Sequence, residues 1–123
     1  MVSRIAQWTL DVQDVEVMAR FWSEALGYRV VPDEDGRSVH LHPRAGADPR
    51  ALTVWLQASA GPKVGKNRNH PDLAGEGDAE AEADRLVALG AKRVDVGQPA
   101  DAGFIVLADP EGNEFCVLRG RHA

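Results

Sequence analysis

The sequence predicts an α+β fold of two βαβββ modules, and three observations predict it. Strand-like and helix-like stretches run in the order strand, helix, three strands, and the same order then begins again. Landmarks recur at one offset: Leu26-Gly27 and Leu89-Gly90 lie 63 positions apart, as do Leu10 and Leu73, which sets Gln7 against His70. Most strands have one apolar and one mixed face, the pattern of a sheet with a helix on one side. A repeat of this size is too long and too few in copies for a solenoid, so two modules that pack together are expected.

Ile5 to Val12 reads as the first strand. Asp14 then caps a helix, because its short carboxylate can accept from the unpaired N–H groups of the first turn, and Val15, Met18, Phe21, Trp22 and Ala25 follow helical spacing. Gly27 is placed to end it in a left-handed conformation. A strand from Tyr28 to Val31, a DEDG turn, a strand from Ser38 to His42, a loop with Pro and Gly, and a strand from Leu52 to Gln57 complete module one, about residues 4–58. After a linker at about 59–67, a short strand from Asn69 to Leu73 opens module two, about residues 68–120. Asp78 caps a helix from Ala79 to Leu89. Glu80 and Glu82 sit in its first turn, where the helix dipole favours negative charge, and Gly90 lies just past its end. Strands at Lys92–Val96, Gly103–Ala108 and Glu114–Arg119 close the module.

A chain of 123 residues is long enough for one domain with a substantial core, and 44% hydrophobic with 27% charged residues is a globular composition. The net charge of -5 argues against nucleic-acid or anionic-membrane binding, which requires a basic surface. The expected partner is a small molecule. Cys116 is the one cysteine and can form no internal disulfide, the N-terminal stretch lacks the apolar core of a signal peptide, and no apolar run approaches the roughly 20 residues that cross a bilayer. A cytoplasmic setting with no membrane association is the expectation.

Alternate side chains of a strand point to opposite faces. By parity, Trp8, Leu10 and Val12 oppose Gln7, Thr9 and Asp11; Leu52, Val54 and Leu56 oppose Thr53, Trp55 and Gln57; His70 shares a face with Asp72; and Phe115 and Val117 oppose Glu114, Cys116 and Leu118. The apolar faces receive the helices. Gln7, Thr9, Trp55, Gln57, His70, Asp72, Glu114 and Cys116 are left on mixed faces, where a few polar groups on a partly apolar wall suit a small-molecule pocket. The competing reading is a solvated sheet face with incidental polar residues.

The stretches TLDVQDVEVMARFWSEALGYRVV, PKVGKNRNHPDL, EADRLVALGAKRVD and VLADPEGNEFCVLR cover almost the whole chain, and the most specific is the turn Asp109-Pro110-Glu111-Gly112-Asn113 before the final strand. Through them the chain resembles the glyoxalase-like group of the vicinal-oxygen-chelate superfamily, the glyoxalase / bleomycin resistance / dioxygenase fold. The resemblance implies paired βαβββ modules that each curl into half of a cup, a single glyoxalase-like domain over residues 1–123, and a homodimer. It also implies metal ligands on the first and fourth strands of each module, usually His, Gln or Glu, and the matching positions are Gln7, Gln57, His70 and Cys116. Trp55 shares the parity of Gln57 two residues away, and Cys116 stands where the resemblance implies a Glu.

Two amides, an imidazole and a thiol depart from the oxygen and imidazole set, with a carboxylate that also abstracts a proton, that such a site uses. Asp11, Asp72 and Glu114 lie nearby, but none occupies a matched position. No cofactor is therefore assigned, and a divalent ion (Zn, Ni, Mn or Fe) is an open alternative. His70 is the candidate general base, with Asp72 to orient it; the alternative is a histidine hydrogen-bonded at the pocket wall. For Cys116, packing as a small hydrophobe is the expected role, since a nucleophile needs a neighbour that lowers its pKa. Lys63, Lys66 and Arg68 form a basic cluster that either guides an anionic ligand or is a solvated linker. His40 and His42 share a face at i, i+2, a spacing that can put two imidazoles on one metal, but with no third ligand evident they read as surface or wall histidines. Two functions follow. One is a glyoxalase- or dioxygenase-like enzyme (lyase, isomerase or oxygenase) with a degraded metal site; the other is a non-catalytic small-molecule binder like the drug-sequestering resistance proteins.

Overall fold

Both helices begin on an aspartate and end on a glycine, as the cap chemistry requires. The computed structural model describes residues 1–120 as two units, Met1–Pro62 and a second that begins at Lys63, and each carries the order strand, helix, three strands. In the first unit these are β1 (Gln7–Val12), α1 (Val15–Leu26), β2 (Arg29–Pro32), β3 (Ser38–His42) and β4 (Thr53–Ala58). The strands form one mixed sheet in the order β1-β4-β3-β2, with β1 parallel to β4 and the other neighbours antiparallel. Asp14 Oδ1 accepts from the N–H groups of Glu16 and Val17 at 3.1 Å, and Gly27 at φ 70 stops α1. The helix packs Met18, Phe21 and Trp22 onto the β3 and β4 residues Val39, Leu41, Val54 and Leu56. The ring of Trp22 meets those of Trp8 and Phe21 edge to face at 4.9 and 5.1 Å, a geometry that adds to area burial.

The second unit has β5 (Asp72–Leu73), α2 (Ala79–Leu89), β6 (Lys92–Arg93), β7 (Phe104–Ala108) and β8 (Glu114–Leu118), and its mixed sheet runs β5-β8-β7-β6 with β5 parallel to β8. α2 buries Ala79, Ala83 and Leu86 and packs on β7 and β8, whose core residues include Leu107, Phe115 and Val117.

The outer strands of module two are shorter than the sequence suggests. The strand expected at Asn69–Leu73 is reduced to Asp72–Leu73, because Pro71 has no N–H for the ladder, although its carbonyl still accepts from the Cys116 N–H at 3.1 Å. His70 thus lies in the approach to the strand. The strand expected at Lys92–Val96 stops at Arg93, because the Asp95 and Gln98 side chains capture the N–H groups of Gly97 and Val96 at 2.8 Å and turn the backbone. No helix among the described residues is long and apolar enough to cross a membrane.

Candidate functional site

The turn Asp109–Asn113 fixes where Cys116 falls. Asp109 is 2% exposed; its carboxylate accepts from the N–H groups of Glu111 and Asn113 at 3.0 and 2.9 Å and from the Asn113 amide, while Gly112 at φ 88 supplies a conformation that favours glycine. The hairpin so made pairs Val106 with Cys116 and Phe104 with Leu118, and on its other side β8 sets Cys116 against Asp72. Opposed residues share a face of the sheet. Asp72, Phe104, Val106, Glu114, Cys116 and Leu118 accordingly line one cavity of about 310 Å³, which Lys66, His70 and Val96 complete. That volume is at the small end of ligand pockets.

Three donors meet there. His70 Nε2 is 3.2 Å from Asp72 Oδ1, and one ligand atom each from His70, Asp72 and Cys116 all lie within 4.8 Å of one another. His70 and Asp72 are open to solvent, whereas Cys116 is 6% exposed. Burial first, then the charge and hydrogen bonding of Asp72, push the Cys116 thiol up, against a smaller pull from Lys66. The thiol alone is therefore protonated at neutral pH and is no activated nucleophile. The carboxylate of Glu114 is anchored at the cavity edge by Lys63 Nζ at 2.7 Å and Lys66 Nζ at 2.8 Å, with the Asn67 N–H at 3.3 Å, and these bonds lower its pKa to about 2. Two of the three residues of the basic cluster, Lys63 and Lys66, are thus spent on an internal acid.

The donor set fits a metal ion of intermediate softness. Thiolate, imidazole and carboxylate are all zinc ligands, and bonds of about 2.0–2.3 Å in a tetrahedral site place donors roughly 3–4 Å apart. Small rotations of the exposed His70 and Asp72 would close a separation of up to 4.8 Å. Three protein donors leave a fourth position open, as catalytic zinc sites do.

Gln7, Thr9, Trp55 and Gln57 belong to the first module and share a face of its sheet, where Thr9 pairs with Trp55 and Asp11 with Gln57. The 63-residue offset takes Thr9 to Asp72, and the parallel partner of Asp72 is Cys116. Trp55 is therefore the register counterpart of Cys116, and Gln57 lies one pair further along. Gln7 accepts from the Thr53 hydroxyl at 3.0 Å, and Trp55 is fixed by its ring N–H, which donates to Asp33 at 3.0 Å. Of the four positions matched by resemblance, His70 and Cys116 come together within one module.

The sequence reading missed Asp33, taken there as part of a turn, and it missed the apolar wall of Phe104 and Val106. The parity of β7 against β8 could have found both wall residues. Asp33 carried a weaker signal: it ends the β2–β3 hairpin, so its N–H pairs with the Ser38 carbonyl at 3.1 Å and its carboxylate falls over the mixed face.

Known proteins agree with this architecture. The glyoxalase-like domain family matches residues 7–118. No protein of curated function matches the chain in sequence. Among solved structures, the chain is similar to a fosfomycin resistance protein, FosX, from Mesorhizobium loti (20% identity, 98% of this chain and 94% of that one, TM-score 0.70). It is also similar to FosX from Listeria monocytogenes (18%, 98% and 96%, 0.71) and to a glyoxalase-related enzyme from Fulvimarina pelagi (18%, 97% and 89%, 0.66). At such identities the structures speak for the fold alone. With its two βαβββ modules and a family match over nearly its full length, the chain belongs to the glyoxalase-like domain family of the vicinal-oxygen-chelate superfamily.

Proposed function

We propose that this protein binds a small molecule in the cavity of module two, with His70, Asp72 and Cys116 as its polar end. The observation that carries the reading is the approach of those three donors to within 4.8 Å in a cavity whose apolar wall is Val96, Phe104, Val106 and Leu118, with the paired Lys66 and Glu114 at its edge. The apolar wall suits an aromatic or aliphatic body. A divalent ion held by the three donors would supply Lewis-acid polarisation of a ligand oxygen. Asp72 orients the His70 ring for proton transfer, and the lyase, isomerase or dioxygenase chemistry of the superfamily belongs to this reading, as do a homodimer and a cytoplasmic setting. A second reading, binding without catalysis, is favoured by the protonated thiol and the largely apolar lining.

Thermal shift with aromatic and anionic metabolites, with and without Zn2+, tests the proposal. Fosfomycin belongs in the panel because two of the similar structures are fosfomycin resistance proteins. Stabilisation is expected for the native chain and is expected to vanish in Val106→Trp, which fills the cavity, and in His70→Ala. Stabilisation that survives both substitutions overturns the proposal, and its dependence on Zn2+ separates the catalytic from the non-catalytic reading.

A further inference from the structure

We propose that His40 and His42 form a second divalent transition-metal site, on the open face of the module-one sheet, with Asp33 as the residue that positions His40. The two residues are two apart on β3, so both side chains leave the sheet on the face opposite the buried Val39 and Leu41. Their ring centroids are 5.8 Å apart and tilted by 35°. Two imidazoles on one ion, with bonds of about 2.0–2.1 Å, place their centroids roughly 5 Å apart, so a small rotation of the partly exposed His42 completes the chelate.

His40 is already oriented for this. Its Nδ1 lies 2.9 Å from Asp33 Oδ1, and Asp33 Oδ2 accepts from the Ser38 hydroxyl at 2.8 Å and from Trp55 Nε1 at 3.0 Å. The Trp55 ring stacks on the imidazole, 5.3 Å between centroids and 8° from parallel. A carboxylate so held keeps the ring proton on Nδ1 and leaves the Nε2 lone pair for an ion, the outer-sphere arrangement that metal-bound histidines use. Asp33 is thus no third ligand; it fixes the first. Imidazole donors select Cu2+, Ni2+ or Zn2+ over Mg2+ and Ca2+. Arg29 is the cross-strand partner of His42, so its cationic head disfavours a bare dication and favours one whose open positions carry an anionic oxygen ligand.

The test is calorimetric titration of Ni2+ and Zn2+ into the tag-free full chain carrying Cys116→Ser, which removes the sulfur donor of module two, with imidazole NMR to identify the histidines. One ion should bind with the His40 and His42 resonances moving together, and His40→Ala and His42→Ala should each weaken binding at least 10-fold. Asp33→Asn should weaken it by about 10–100-fold and shift the His40 tautomer signal, with circular dichroism unchanged. Should Asp33→Asn perturb folding, His42→Ala alone decides. Affinity unchanged in His40→Ala and His42→Ala, or movement of the His70 resonances alone, overturns the proposal.

Discussion

In module one the helix buries Met18, Phe21 and Trp22; in module two it buries Ala79, Ala83 and Leu86. Asp14 caps α1 with two hydrogen bonds of 3.1 Å, whereas Asp78 caps α2 with one of 3.3 Å. The sheets differ in the same sense, since β1 and β2 have six and four residues while β5 and β6 have two each. The better-anchored module presents an imidazole–indole face held by one carboxylate. The lighter one holds the cavity in which His70, Asp72 and Cys116 meet. The two modules share one order of elements, yet most of the large fully buried side chains lie in the first, while the cavity with its three donors lies in the second.

The contrast in packing has the largest expected effect. Trp22→Ala removes a fully buried ring with two edge-to-face partners and should cost about 3–5 kcal/mol, against the lower part of about 2–5 kcal/mol for Leu86→Ala. Denaturant unfolding of both variants measures this, and an equal loss would erase the difference between the modules. Glu114 gives a smaller and pH-dependent effect. Its folded pKa of about 2 lies below the ordinary 4.5, so the carboxylate stabilises the folded chain fully above about pH 4.5 and progressively less as pH falls toward 2. Glu114→Gln should cost about 2 kcal/mol at pH 7, the worth of hydrogen bonds between charged groups, and the gap from the native chain should narrow below pH 4.5. A gap that stays constant to pH 3 would mean that the contacts of Lys63 and Lys66 contribute little.

How much of this was legible in the sequence depends on how local the determinant is. The helix ends were readable because caps act over a few residues: Asp14, Gly27, Asp78 and Gly90 stand where expected. The strands β3 and β8 were readable from alternation. The lengths of β5 and β6 were not, because a proline at the third position of the expected strand and two side chains that capture backbone N–H groups decide them. The placement of Cys116 on the mixed face followed from parity, and so did that of Asp72. That His70 would still reach Asp72 from outside the strand depends on the path of the chain at Pro71, which no spacing rule encodes. The role of Asp33 needed the hairpin register and the orientation of Trp55 together.

The central claim is that His70, Asp72 and Cys116 act as one donor set in the cavity of module two. Absorption spectroscopy of the tag-free chain titrated with Co2+ tests it most directly, because only a thiolate ligand gives the intense sulfur-to-cobalt charge-transfer band. The account predicts a band that saturates at one equivalent, disappears in Cys116→Ser and weakens in His70→Ala and Asp72→Ala. Absence of the band with Co2+ in excess would contradict it.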